Sequence, residues 1–153
     1  MTFQPAGSGL NNTAEYMASP LPWVSSSVIA SGSVWRIDFP KVTSEIHVHN
    51  ATPADSSIGV AFTLSGALGT NRFLVGTNQT AGSSYVGETF SFRTRVKTLY
   101  IIGLTGSSTV SVYAGLTTIN PKSFPILTGS SPTVLSLTGS TTYDSYFSYD
   151  GLG

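Results

Sequence analysis

From Trp23 onward the chain alternates between apolar and polar positions. Trp35, Ile37 and Phe39 are interleaved with Val34, Arg36 and Asp38. Ile46 and Val48 are interleaved with Glu45, His47 and His49, and Ile58, Val60 and Phe62 with Gly59, Ala61 and Thr63. Phe90 and Phe92 flank Ser91, and Val110, Val112 and Ala114 alternate with Ser111 and Tyr113. A period of two sends successive side chains to opposite faces of a pleated ribbon, so each run predicts a half-buried β-strand. The run Leu99-Tyr100-Ile101-Ile102 is apolar at both parities. It predicts a central strand covered on both sides, or a strand lying in a subunit contact. No stretch carries apolar residues at helical spacing.

Turn signals separate the runs at short intervals: Ala30-Ser31-Gly32, Asn50 to Ser57 with Pro53, Ser65-Gly66-Ala67-Leu68-Gly69, Thr80-Ala81-Gly82-Ser83 and Thr105-Gly106-Ser107-Ser108. Strands of about six residues recurring every 8–12 residues predict an all-β sandwich or barrel. The expected fold is a single jelly-roll β-sandwich of about eight antiparallel strands, with an immunoglobulin-like sandwich as its competitor. The sandwich is expected over residues 22–117. Residues 1–21 are Gly-, Asn- and Pro-rich and read as an extended N-terminal arm. Residues 118–153 form a C-terminal Ser/Thr/Tyr-rich extension with a candidate extra strand at Thr133–Thr138. Its last part carries Tyr143, Tyr146, Phe147 and Tyr149. Aromatic side chains bury much apolar area, so these four are candidate interface residues, docking either on their own domain or on a neighbouring subunit.

Composition sharpens the reading. Only 9% of the residues are charged and the net charge is +0, against about 25% charged in an average domain. Such a chain has little self-repulsion and suits a surface mostly covered by other protein. The basic residues are too few and too scattered for a nucleic-acid footprint. The nearest cluster, Arg93, Arg95 and Lys97, would share one face of a strand. It reads as a solvated salt-bridge row with Glu88 nearby, or as a contact with an acidic neighbour. No apolar run approaches the roughly 20 residues of a membrane span, and Met1 to Pro5 has neither a basic nor an apolar leader pattern. With no cysteine there are no disulfides or thiolate metal sites. The sequons at Asn11, Asn50 and Asn78 are those a Thr-rich chain produces by chance.

Candidate chemistry is sparse. His47 and His49 point the same way from one strand, with Glu45 beside them, and they are the only histidines. A zinc site needs three or four ligands, so the expectation is an outward polar pair and no metal. Buried between subunits, that pair would make assembly acid-sensitive, because histidine charges near pH 6. No serine sits in a nucleophile elbow and no glycine-rich loop has a phosphate cradle's lysine. The expectation is no enzyme, no catalytic residues and no cofactor. Trp23, Trp35, Asn71, Asn78 and Tyr85 are raw material for a sugar site, although Trp35 shares the parity of Ile37 and Phe39 and reads as core.

The run Phe39-Pro40-Lys41-Val42-Thr43-Ser44-Glu45-Ile46-His47-Val48-His49-Asn50 resembles a stretch of small viral single jelly-roll proteins. Val60-Ala61-Phe62-Thr63 with Gly66, Asn71-Arg72-Phe73, Val96-Lys97-Thr98-Leu99-Tyr100-Ile101 and Val112-Tyr113-Ala114-Gly115-Leu116-Thr117 extend it over roughly residues 30–118. Together they are similar to penton and minor capsid proteins of large icosahedral double-stranded DNA viruses, the chlorella-virus type among them. The resemblance implies a virion protein that forms a homo-oligomer, a pentamer at the capsid vertices. It also implies contacts to the major capsid protein and other minor capsid proteins, with no cofactor and no catalytic residues. The Tyr-rich end is not a mark of that family. It keeps open a receptor- or glycan-binding role at a particle surface, as a fibre, spike base, cement or decoration protein.

Overall fold

The computed structural model describes residues 20–52, 55–79 and 85–123. Nine strands form among them: β1 (Leu21–Ile29), β2 (Val34–Asp38), β3 (Thr43–Asn50), β4 (Ser57–Ala61), β5 (Phe73–Gln79), β6 (Tyr85–Gly87), β7 (Thr89–Phe92), β8 (Thr98–Thr105) and β9 (Ser108–Leu116). They make two antiparallel sheets. The first has the order β1-β9-β3-β7 and the second the order β2-β8-β4-β5-β6. The chain changes sheet at almost every connection, so the pairs nest: β1 with β9, β2 with β8, β3 with β7 and β4 with β5.

Alternation places the core between the sheets. Ile46 and Val48 of β3 and Val110, Val112 and Ala114 of β9 meet Ile37 of β2, Ile58 and Val60 of β4, Val75 of β5 and Leu99 and Ile101 of β8 in one buried cluster. Burying each branched side chain contributes about 1.5–3 kcal/mol. The predicted alternation therefore chose the inward parity correctly on these strands. The double-sided run at Leu99–Ile102 lies in β8, a central strand of its sheet.

Three local expectations change. The segment Ser65–Gly69, read as a turn, contributes most of a short helix, α1 (Leu64–Leu68), whose N-cap Thr63 accepts the Gly66 N–H through Oγ1 at 3.0 Å. Five residues are too few to display a helical period. Arg93 to Lys97 is not a strand, since β7 ends at Phe92. Thr43 captures this segment: its Oγ1 donates to the Thr94 carbonyl at 2.8 Å and accepts the Val96 N–H at 3.1 Å, while its own N–H donates to the Val96 carbonyl. The chain is crossing between sheets there. Lastly, β1 begins at Leu21, the last residue assigned to the arm, and runs through Pro22. β1 is an edge strand, where a residue lacking a backbone donor is tolerated.

The β3–β4 crossing is locked by a buried polar knot. Asn50 is fully buried. Its Oδ1 accepts from the Thr52 hydroxyl at 2.8 Å and its Nδ2 donates to Ser56 Oγ at 3.1 Å. Thr52 Oγ1 in turn accepts the Thr109 N–H at 2.8 Å, tying the crossing to β9. Buried polar groups need such partners, and the Asn50 sequon is therefore a structural element closed to modification.

Candidate functional site

The outer face of the first sheet collects the histidines. Strand parity puts Glu45, His47 and His49 of β3 on that face, opposite the buried Ile46 and Val48. His47 lies between Tyr113 on β9 and Ser91 on β7, and His49 lies between Ser111 and Thr89. His47 Nδ1 hydrogen-bonds Ser91 Oγ at 2.7 Å and His49 Nδ1 hydrogen-bonds Thr89 Oγ1 at 2.8 Å. The His47 ring also leans on Tyr113, with centroids 5.4 Å apart. Each histidine thus ties β3 to β7, and among the described residues no carboxylate hydrogen-bonds either imidazole. Among them, no three His, Asp or Glu side chains group closely enough to hold a metal ion.

Beyond the end of β7 the face opens into a groove of about 440 Å³ lined by Pro20, Ser44, Glu45, Arg93, Thr94, Arg95 and Thr117. A smaller recess beside it shares Glu45 and Arg93 and reaches His47. Arg93 and Arg95 are exposed. The lining thus brings two guanidinium groups and one carboxylate together, and guanidinium groups suit a carboxylate or another planar anion. Lys97 does not line it. That residue is half-buried, and its carbonyl accepts the Phe39 N–H at 2.9 Å. The expected basic stripe of three thus reduces to two arginines on an irregular segment.

The outer face of the second sheet is different. Val34, Ile102, Gly59 and Leu74 form one row across β2, β8, β4 and β5. Arg36, Tyr100 and Ala61 form the next. α1 lies on these rows and makes a small second core of Ala61, Ala67 and Ile102, edged by Val34, Tyr100 and Leu104. Gly59 allows this: a Cβ there would sit 2.5 Å from Arg72 Cδ, because the Arg72 stem crosses directly above it. Arg72 Nη1 then donates to the Ala67 carbonyl at 2.7 Å and pins the helix. The cover is partial. Leu64, Leu68 and Leu74 remain 49%, 62% and 66% exposed. At the β2 margin Arg36 and Asp38 pair at 3.0 Å, with Arg36 also over the Tyr100 ring. The hydrogen bond to Asp38 raises the Arg36 pKa, and Tyr100 acts in the same direction.

Of the residues raised for sugar binding, the two tryptophans can be placed. Trp23 and Trp35 pack against the core, Trp23 edge-on to Phe39 at 5.1 Å, and neither offers a free platform. Tyr143, Tyr146, Phe147 and Tyr149 lie outside the described residues, as do Asn11 and the candidate strand at Thr133–Thr138. The three exposed leucines were not singled out by sequence reasoning, although the double-sided apolarity of Leu99–Ile102 did signal the face they border. No helix of the described residues is long and apolar enough to cross a membrane.

No protein-family model matches the sequence, and no curated protein matches it. A solved structure described as "Bacillus endospore appendages form a novel family of disulfide-linked pili" is similar at 15% identity, covering 71% of this chain and 99% of that chain, with a TM-score of 0.31. A likeness of that size carries no argument about this chain, whose functional reading rests on its own faces and edges.

Proposed function

We propose that this chain is a structural subunit of a virion, a capsid vertex subunit that closes into a pentamer and meets the major capsid protein and other minor capsid proteins. The observation that carries the reading is the outer face of the second sheet. A solvated antiparallel face should be polar, yet this one is apolar along Val34, Ile102 and Leu74 and leaves Leu64, Leu68 and Leu74 exposed. A contiguous apolar patch on a soluble domain marks a protein contact, and the low charge of the whole chain favours coverage. The nested pairing of β1 with β9, β2 with β8, β3 with β7 and β4 with β5 supports the jelly-roll form of the sandwich. The mechanism is geometric: head-to-tail contacts at a constant angle close a ring.

The test is the mass of the purified chain in solution across a concentration series, alongside the double variant Leu68→Ser/Leu74→Ser. A mass in multiples of five chains that falls to smaller species in the variant is the expected result. A monomer at every concentration, with or without the substitutions, would refute self-assembly through this face. The groove lined by Glu45, Arg93 and Arg95 favours a second reading, a receptor- or glycan-binding sandwich on a particle surface. Binding of acidic glycans on an array, lost in Arg93→Ala/Arg95→Ala, would select it.

A further inference from the structure

Among the described residues four strands lie at sheet edges: β1 and β7 in the first sheet, β2 and β6 in the second. An edge strand presents unpaired N–H and C=O groups, and proteins that stay apart blunt such edges with charge, shortness or bulges. Three of the four are blunted. β2 carries the exposed Arg36–Asp38 pair. β7 has four residues and is flanked by Glu88 and Arg93, and β6 has three residues and ends beside Glu88. β1 has one protection, Pro22 at its N-terminal end, and none from Trp23 to Ile29. It is nine residues long, has no charged side chain, and keeps an unbroken register with β9 from Leu21↔Leu116 to Ile29↔Ser108. Among the described residues no strand lies beyond it.

The sequence of this edge is symmetric about Ser26. Ser25 mirrors Ser27, Val24 mirrors Val28, and the two large apolar residues Trp23 and Ile29 mirror each other. Val24 and Val28 both face outward and are both 67% exposed. Ser26 lies between them on the same face, its Oγ already 2.9 Å from Ser111 Oγ.

We propose that the free edge of β1 pairs with β1 of a second copy, antiparallel about a twofold axis at Ser26, joining two first sheets into one. In that register Ser26 faces its own copy and extends the hydroxyl row begun at Ser111. Val24 faces Val28 of the second copy twice over, stacking the exposed valines, and Trp23 faces Ile29 of the second copy on the core side. Cross-strand pairs of this kind are the unit of sheet stabilisation. An isologous contact requires one patch to be complementary to itself, and a mirror-symmetric strand meets that requirement. A neutral strand carries no charge to repel its copy. Pro22 has no N–H and marks where pairing ends. The contact uses a sheet edge, so it is independent of the apolar face assigned to ring closure.

The chain has no cysteine, which makes the register directly testable in the full-length protein. Opposed residues in an antiparallel pair lie about 4.5–5.5 Å apart at Cα, within the range of a disulfide at about 4.4–6.8 Å. Under mild oxidation Ser26→Cys is expected to give a covalent dimer about tenfold or more faster than Ser107→Cys, an exposed turn position off the edge that reports random collision. Ser25→Cys, opposite Ser27 of the second copy, is expected to link more slowly than Ser26→Cys. Val24→Lys/Val28→Lys puts like charges opposite each other at exposed positions, and is expected to abolish the twofold species in solution while leaving the fold intact. Cross-linking from Ser26 no faster than from Ser107 would overturn the proposal, including the case where other residues of the chain cover the edge. So would a solution mass unchanged by the two lysines.

Discussion

The two outer faces of this sandwich obey the same strand parity and reach opposite ends. On the first sheet most outward positions of β3, β7 and β9 are hydroxyls and imidazoles, and neighbours satisfy one another sideways: His47 with Ser91, His49 with Thr89, Ser26 with Ser111. Val24 and Val28 of the edge strand β1 stay apolar and exposed. Where β3, β7 and β9 meet, that face is satisfied once the strands have paired. On the second sheet the outward row of Val34, Ile102 and Leu74 has no lateral bonding to make and can only be covered from above. α1 and the Arg72 stem cover part of it. Lateral hydrogen bonding finishes a surface locally, whereas an apolar surface remains a demand on something further away.

The comparison breaks most sharply at Gly59. A Cβ there meets Arg72 Cδ at 2.5 Å and Ile102 Cγ2 at 2.9 Å. Gly59→Val is expected to displace the stem, unseat α1 and cost about 2–3 kcal/mol in urea unfolding. An unchanged midpoint would mean that the stem is not what holds the helix. Arg72→Ala attacks the same cover from the other side. It removes the donor to the Ala67 carbonyl and the methylene cover, with an expected loss of about 1–2 kcal/mol, and proteolysis at α1 should rise ahead of global unfolding.

Effects on the first face should be smaller. His47→Ala and His49→Ala each remove one exposed cross-strand bond, and each is expected to cost about 0.5–1 kcal/mol. A loss several times larger would show that this face also carries packing that its hydrogen bonds do not reveal. The smallest effect on folding belongs to Leu68→Ser/Leu74→Ser, within about 0.5 kcal/mol because both side chains are exposed. Folding stability left intact alongside a changed solution mass separates a surface kept for partners from one kept for the fold.

Much of the architecture was legible because the governing rule is local. Alternation at Ile46/Val48, Ile58/Val60 and Val110/Val112 required only the pleat of a single strand, and it picked the buried parity. The same rule misread Arg93 to Lys97, whose spacing looks extended. The backbone there is claimed by Thr43, a residue some fifty positions earlier in the chain. α1 escaped because a helix of little more than one turn shows no period. For the candidate interface, the sequence pointed to aromatic residues of the C-terminal extension and to three basic residues. The exposed leucines went unmarked, since which outward positions stay exposed depends on how α1 lies over the sheet.

The sequence by itself determined the β-class, the inward parity of most strands, the outward histidine pair and the near-absence of charge. Each of these is a property of neighbouring residues or of composition. Only the tertiary structure decided which strands lie at edges, which face is left apolar and which two arginines share a groove. Those depend on pairing between distant segments, and period-two alternation says which side of a strand is buried but not which strand lies beside it.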